Sequence, residues 1–220
     1  MFLTIANILN ETELELVHER FDQLDWRDGA RTAGGRARSV KKNQQANLRG
    51  KEGQGLHDFL KEAVERSTVF QAAARPKKLS RLLISKTEDN GGYGSHVDNA
   101  LMSGLRTDLS FTLFLTPPGD YAGGELVIDS HSGEHSAKPD AGDLVLYPSG
   151  AIHRVEPVTH GARHAVIGWV ESHVRGAAER DILFDLDNTR AALGRSMDAS
   201  APELLALDKV ASNLLRLWAE

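Results

Sequence analysis

Short apolar runs punctuated by glycine and proline fill the middle of the chain and leave few folds open to it. The runs cover residues 79–86, 108–115, 125–129, 143–147, 152–156 and 163–170. Pro117-Pro118-Gly119, Ala122-Gly123-Gly124, Ala141-Gly142 and His160-Gly161 lie between them. Short strands with regular turn signals describe a sandwich or barrel. Within 109–115, Leu109, Phe111, Leu113 and Leu115 alternate with Ser110 and Thr112. Such a strand offers one face to a core and the other to a polar cavity.

Helical spacing frames this region on both sides. Asn10 or Thr12 can cap a helix carrying Leu14, Leu16, Val17, Phe21 and Leu24, and a second helical stretch over 54–74 ends at Arg75-Pro76. After the strands, 174–193 reads as a helix, and Ser200-Ala201-Pro202-Glu203 has the form of a capping box opening another. The expected organisation is therefore a helical and extended support over 1–78, a β core over 79–171 and a helical region over 172–220. That last region either packs on the barrel, the preferred reading, or makes a homodimer contact.

Composition narrows the function classes. The 220 residues contain no cysteine, which removes disulfides, thiolate metal sites and cysteine nucleophiles. A metal site here must draw on histidine, carboxylate or other oxygen ligands, and nine histidines are available. The net charge of −5 argues against a general polyanion-binding protein. Seven basic residues and no acidic or aromatic one lie between Arg31 and Lys51. Without aromatics to stack on bases, this stretch reads as substrate contact or a solvated loop rather than a nucleic-acid surface. No apolar run is long enough to span a membrane, and Met1 to Asn10 lacks the basic leader and cleavage site of a signal peptide. A cytoplasmic setting is the expectation. Gly91-Gly92 and Gly123-Gly124 lack the spacing of phosphate loops and read as places of close backbone approach.

The chemistry centres on His96-Val97-Asp98. On an extended strand, residues two apart point the same way, so an imidazole and a carboxylate can reach one ion. With a further histidine they would form a facial triad that leaves three adjacent sites open on Fe(II). His153 lies in a later run and Arg163 opens the next, with 157–162 between them reading as a hairpin loop. That would pair their strands and bring the two side chains together. Arginine binds a carboxylate through two parallel hydrogen bonds. Each residue also has a plainer reading: Asp98 as a turn acceptor after Gly91-Gly92-Tyr93-Gly94, and Arg163 as a cross-strand partner of Glu156. Of the neighbouring histidines, His160 falls in the expected loop and His164 should face away from Arg163.

Taken together, Tyr93-Gly94-Ser95-His96-Val97-Asp98, the 109–115 strand, Tyr121-Ala122-Gly123-Gly124-Glu125-Leu126, Gly142-Asp143, Pro148-Ser149 and His153-Arg154-Val155 through Arg163 resemble the prolyl-4-hydroxylase-like branch of the Fe(II)/2-oxoglutarate dioxygenases. Lys42-Asn43-Gln44-Gln45 and the segment from Glu171 to Asp187 extend the resemblance to the bacterial PKHD-type hydroxylases. It implies an α+β, mainly β chain whose core is a double-stranded β-helix, or jelly roll. It implies His96, Asp98 and His153 as iron ligands, Arg163 as the 2-oxoglutarate anchor and Tyr93 near that cofactor. The implied reaction hydroxylates a C–H bond of a small-molecule or peptidyl substrate, using Fe2+, 2-oxoglutarate and O2, with L-ascorbate as reductant. Succinate and CO2 are the co-products, and a link to iron homeostasis is implied as well. A cupin-like metal protein and a non-catalytic iron or 2-oxoglutarate sensor are the alternatives.

Overall fold

The computed structural model describes residues 1–32 and 34–220, with Arg36 described through its backbone alone; the Arg36 side chain of the basic stretch lies outside the described residues. In chain order the strands begin with β1 (Leu3–Ile5), β2 (Trp26–Asp28), β3 (Lys41–Lys42), β4 (Gln44–Ala46), β5 (Pro76–Leu79) and β6 (Leu83–Thr87). They continue with β7 (Gly91–His96), β8 (Leu101–Met102), β9 (Leu105–Arg106), β10 (Leu109–Phe114) and β11 (Tyr121–Gly123). The last are β12 (Leu126–Ser130), β13 (Gly133–Ala137), β14 (Leu144–Pro148), β15 (His153–Gly161) and β16 (Arg163–Ser172). The α-helices are α1 (Glu11–His18), α2 (Lys51–Glu65), α3 (Thr68–Ala74), α4 (Ala177–Leu193) and α5 (Pro202–Trp218). Among the described residues, no helix is long and apolar enough to cross a membrane.

Two antiparallel sheets carry the fold. The larger runs β1-β14-β10-β16-β6-β4-β2, with β5 also on β16; the smaller runs β13-β12-β15-β7-β3, with β11 also on β15. Strands β1 to β4 take both sheets upstream of residue 79. The alternation in β10 has the expected consequence. Leu109, Phe111, Leu113 and Leu115 join the large core, in which Val17, Leu56, Leu60, Val64 and Phe70 come from α1, α2 and α3. The amino-terminal helices thus cover one face of the larger sheet. Phe114, on the opposite face of β10, joins a second cluster with Leu126, Ile128, Val145 and Tyr147 from both sheets. The jelly roll closes around that second cluster and the cavity beside it.

Local chemistry explains most element ends. Asn10 caps α1 in a full capping box with Glu13. The 54–74 stretch is two helices: Arg66 and Ser67 interrupt it, and Ser67 caps α3 by accepting from the Phe70 amide. Arg75 ends α3 in the left-handed region at φ 45°, just before Pro76. The expected capping box at Ser200 is not made. Ser200 donates to Asp198 instead, and α5 begins at Pro202 with Ala201 as an N-cap that offers no side-chain oxygen. Helix α4 buries Leu183 and is tied to the body by an Arg75–Asp187 ion pair of 2.5 Å. Helix α5 lies on α4 and buries Ala211 alone.

The expected hairpin loop at 157–162 is strand. Residues 153–161 run on as β15 through register shifts on β7, with Pro157 between Val155 and Val158 in the irregular stretch. A proline inside a strand is tolerated where the ladder is already broken. His153 and Arg163 therefore do not sit on paired strands. His153 belongs to the smaller sheet and Arg163 to the larger, and they face each other across the interior. His160 is exposed on β15 rather than in a loop.

Candidate active site

A cavity of about 130 Å3 opens between the two sheets. It is lined by His96, Asp98, His153, Arg163 and Tyr93, so every residue singled out from the sequence reaches it. His96 ends β7, Asp98 follows two residues later, and His153 opens β15 directly opposite His96 in the ladder. Gly92 lets β7 approach that closely, because a Cβ there would lie 2.8 Å from the Val155 carbonyl.

The ligand-bearing atoms converge. Asp98 Oδ1 is 3.9 Å from His96 Nε2, Asp98 Oδ2 is 3.7 Å from His153 Nε2, and one atom from each residue fits within a 4.8 Å group. Both imidazoles are fixed in the tautomer a metal needs. His96 Nδ1 donates to the Gly94 carbonyl at 2.8 Å and His153 Nδ1 to the Ala151 carbonyl at 3.0 Å, leaving both Nε2 lone pairs pointing inward. Burial and the neighbouring His153 hold the His96 imidazole down to about 4, so it stays neutral. Asp98 Oδ2 accepts a 2.6 Å hydrogen bond from Ser110, whose own oxygen accepts from Ser149 at 2.7 Å. The polar face of β10 thus orients the carboxylate.

Arg163 is 2% exposed at the other end of the cavity. Its guanidinium lies 4.8 Å over the Phe114 ring, while Nε and Nη2 have no hydrogen-bond partner among the described residues. A buried cation with idle donors is costly unless an anion answers it. Burial pushes the guanidinium down from its usual range, and the nearby Tyr121 and Tyr147 hydroxyls partly offset this. The Tyr121 hydroxyl is buried and also lacks a well-formed hydrogen bond. Gly124, at φ 71°, makes room for the arginine stem: a Cβ there would fall 3.0 Å from Arg163 Cδ. Three convergent ligand atoms and an arginine with unused donors fit a metal ion chelated by a dicarboxylic 2-oxo acid.

Tyr93 lines the cavity but stacks flat on His96, with ring centroids 3.5 Å apart. The tyrosines beside Arg163 are Tyr121 and Tyr147, which the sequence reading did not single out. Tyr121 stands inside the quoted Tyr121 to Leu126 motif without a role assigned to it, Tyr147 lies beside Pro148-Ser149, and inward alternation in β14 would have pointed to Tyr147. Lys41, also not singled out by itself, lines the cavity with its ammonium 5.0 Å from the Tyr93 ring centroid. His164 faces away from Arg163 as expected, stacked on Phe21 at 4.6 Å.

Comparison with known proteins decides the family. The 2OG-Fe(II) oxygenase superfamily model matches residues 82–171, and the PKHD-type hydroxylase C-terminal domain matches residues 178–220. A PKHD-type hydroxylase of Hyphomonas neptunium is 46% identical over 99% of both chains, and one of Gloeothece citriformis is 44% identical over the whole of both. The chain belongs to the PKHD-type hydroxylases. Membership in this family makes it an Fe(II)/2-oxoglutarate dioxygenase. Among solved structures, a 2OG-Fe(II) oxygenase-family oxidoreductase of Burkholderia pseudomallei is similar with a TM-score of 0.61 at 16% identity, over 80% of this chain and 86% of that one. A Trichoplax adhaerens prolyl hydroxylase, solved with a hypoxia-inducible-factor peptide, gives 0.59 at 18% identity over 77% and 82%. These neighbours confirm the jelly roll; the PKHD-type relatives carry the activity.

Proposed function

We propose that this PKHD-type hydroxylase binds iron through His96, Asp98 and His153, anchors 2-oxoglutarate on Arg163, and hydroxylates a C–H bond of a substrate seated at the cavity mouth. The observation that carries this reading is the convergence of three ligand atoms with both Nδ1 atoms tied to carbonyls. Iron(II) with 2-oxoglutarate and O2 supplies the oxidising power, released as succinate, CO2 and the hydroxylated product; ascorbate keeps the metal ferrous. The protein does the rest. Ser110 holds the carboxylate, Tyr93 packs the His96 ring in place, and Arg163 takes the carboxylate of 2-oxoglutarate far from the metal. Leu126, Val155 and Ile167 line the cavity with apolar surface that limits water near the reacting carbon.

Anaerobic titration with Fe(II) and 2-oxoglutarate tests this. Wild type is expected to develop the visible charge-transfer band of the chelate. Asp98→Ala should show no band and, once O2 is admitted, no succinate, whereas wild type should form it. Arg163→Ala should keep iron binding but need about 10- to 100-fold more 2-oxoglutarate, the worth of a charge-assisted pair. Iron binding without a band in wild type would reject the chelate and favour a cupin-like protein or a sensor.

A further inference from the structure

Lys41 is the one cavity-lining charge among the described residues that the cofactor site does not employ. Of the described residues lining the cavity, Lys41 and Arg163 are the cations and Asp98 is the carboxylate. Arg163 answers the co-substrate and Asp98 the metal. The Lys41 ammonium has one hydrogen bond, to Thr32 Oγ1 at 3.1 Å, and no ion pair among the described residues. The nearest carboxylates that act on it, Asp98 and Asp28, do so only through space, and burial pushes the ammonium down to about 8. It is half-buried and has no ion-pair partner among the described residues, an arrangement that costs free energy until an anion arrives.

Its surroundings point the same way. Lys41 begins β3, which pairs with β7 opposite Tyr93, so its position is fixed by the strand that carries His96. Thr32, Gly34 and Ala37 continue the cavity wall from the segment preceding Lys41. That segment belongs to the 31–51 stretch, which has seven basic residues and no acidic one. Trp169, on the facing sheet, also lines the cavity, and its indole Nε1 donor is buried without a partner among the described residues.

We infer that Lys41 recognises a carboxylate on the substrate and so makes this enzyme selective for carboxylate-bearing small molecules. The inference rests on the oxygenase reading above and adds the substrate class. In this arrangement the carboxylate sits against Lys41 on the Tyr93 side of the metal, away from Arg163. The carbon to be oxidised then lies between Lys41 and the metal ligands.

Matched pairs test this: N-acetyl amino acids against their carboxamides, added to the anaerobic Fe(II)–2-oxoglutarate protein. Binding is followed by perturbation of the charge-transfer band and, separately, by water-proton relaxation with Mn(II) in place of iron. Wild type should bind at least one acid about tenfold more tightly than its amide, as expected for a hydrogen-bonded charge. Lys41→Met should bring that ratio close to one without altering the band formed before any probe is added, and Lys41→Arg should restore it. Equal binding of acids and amides, no binding of any acid in wild type, or an unchanged ratio in Lys41→Met would overturn the inference. Loss of the band in wild type before probe addition would instead reject the oxygenase site itself.

Discussion

As the proposed ligand, Asp98 needs its carboxylate held still, and Ser110 bonds it directly. The 2.6 Å bond from Ser110, backed by Ser149, fixes the carboxylate plane. Ser110→Ala should leave the fold intact and weaken Fe(II) binding by about 10- to 100-fold, as removal of outer-shell partners does, measured by competition with a chelating dye. A second residue sets acid stability. His164 sits among Phe21 and Trp26 and is hydrogen-bonded to Thr116, whose Oγ1 accepts from the His164 amide. Burial, then His18 and Lys86, holds its imidazole down to about 4. Unfolding returns it to about 6.5, so the unfolded chain binds the proton first. Stability is therefore full above about pH 6.5 and is lost as pH falls toward 4. Melting temperatures of metal-free protein from pH 7.5 to 4 should show this slope, and His164→Gln should make it shallower; an unchanged slope would show that other groups dominate. His96, lowered by burial, adds a slope of the same sign in both proteins. The triplet was readable in the sequence through the spacing of His96 and Asp98, although the strand expected to carry both ends at His96 and Asp98 lies just beyond it. Lys41 was not, because a lysine in a basic run carries no mark of which one turns inward.

Elements differed in how plainly the sequence announced them. Strand β10 was legible because both its faces are specified by different chemistry, apolar outward to the helices and polar inward to the cavity. Strands β1 to β4 were not, since two or three residues hold no period and each exists through its partner: β1 on β14, β3 on β7, β4 on β6. The continuation of β15 through Pro157 was hidden for a related reason. Proline, glycine and threonine read as a turn unless a neighbouring strand is known to pair with them. Helix α3 shows how the helices hold the larger sheet. Phe70 is fully buried and meets Phe111 edge-on at 5.6 Å. Phe70→Ala should cost about 3–5 kcal/mol, read as a lower urea midpoint with unchanged slope.

At the scale of the whole molecule, the parts of the site are divided between the two sheets. His96 and His153 come from strands of the smaller sheet, and Asp98 follows β7; Arg163 and Ser110 belong to the larger. That opposition explains why the sequence could place His153 and Arg163 near each other yet misjudge the connection: facing sheets and paired strands both bring neighbouring runs together. It also gives the cofactors a mechanical role. On the proposed site, a molecule chelated at one sheet and gripped by arginine on the other would work as a rivet through the sandwich. Filling the site should slow amide hydrogen exchange along β16 and β7 together, including positions far from any ligand atom, and Arg163→Ala should uncouple the two. What the enzyme consumes would then also be what fastens its two sheets together.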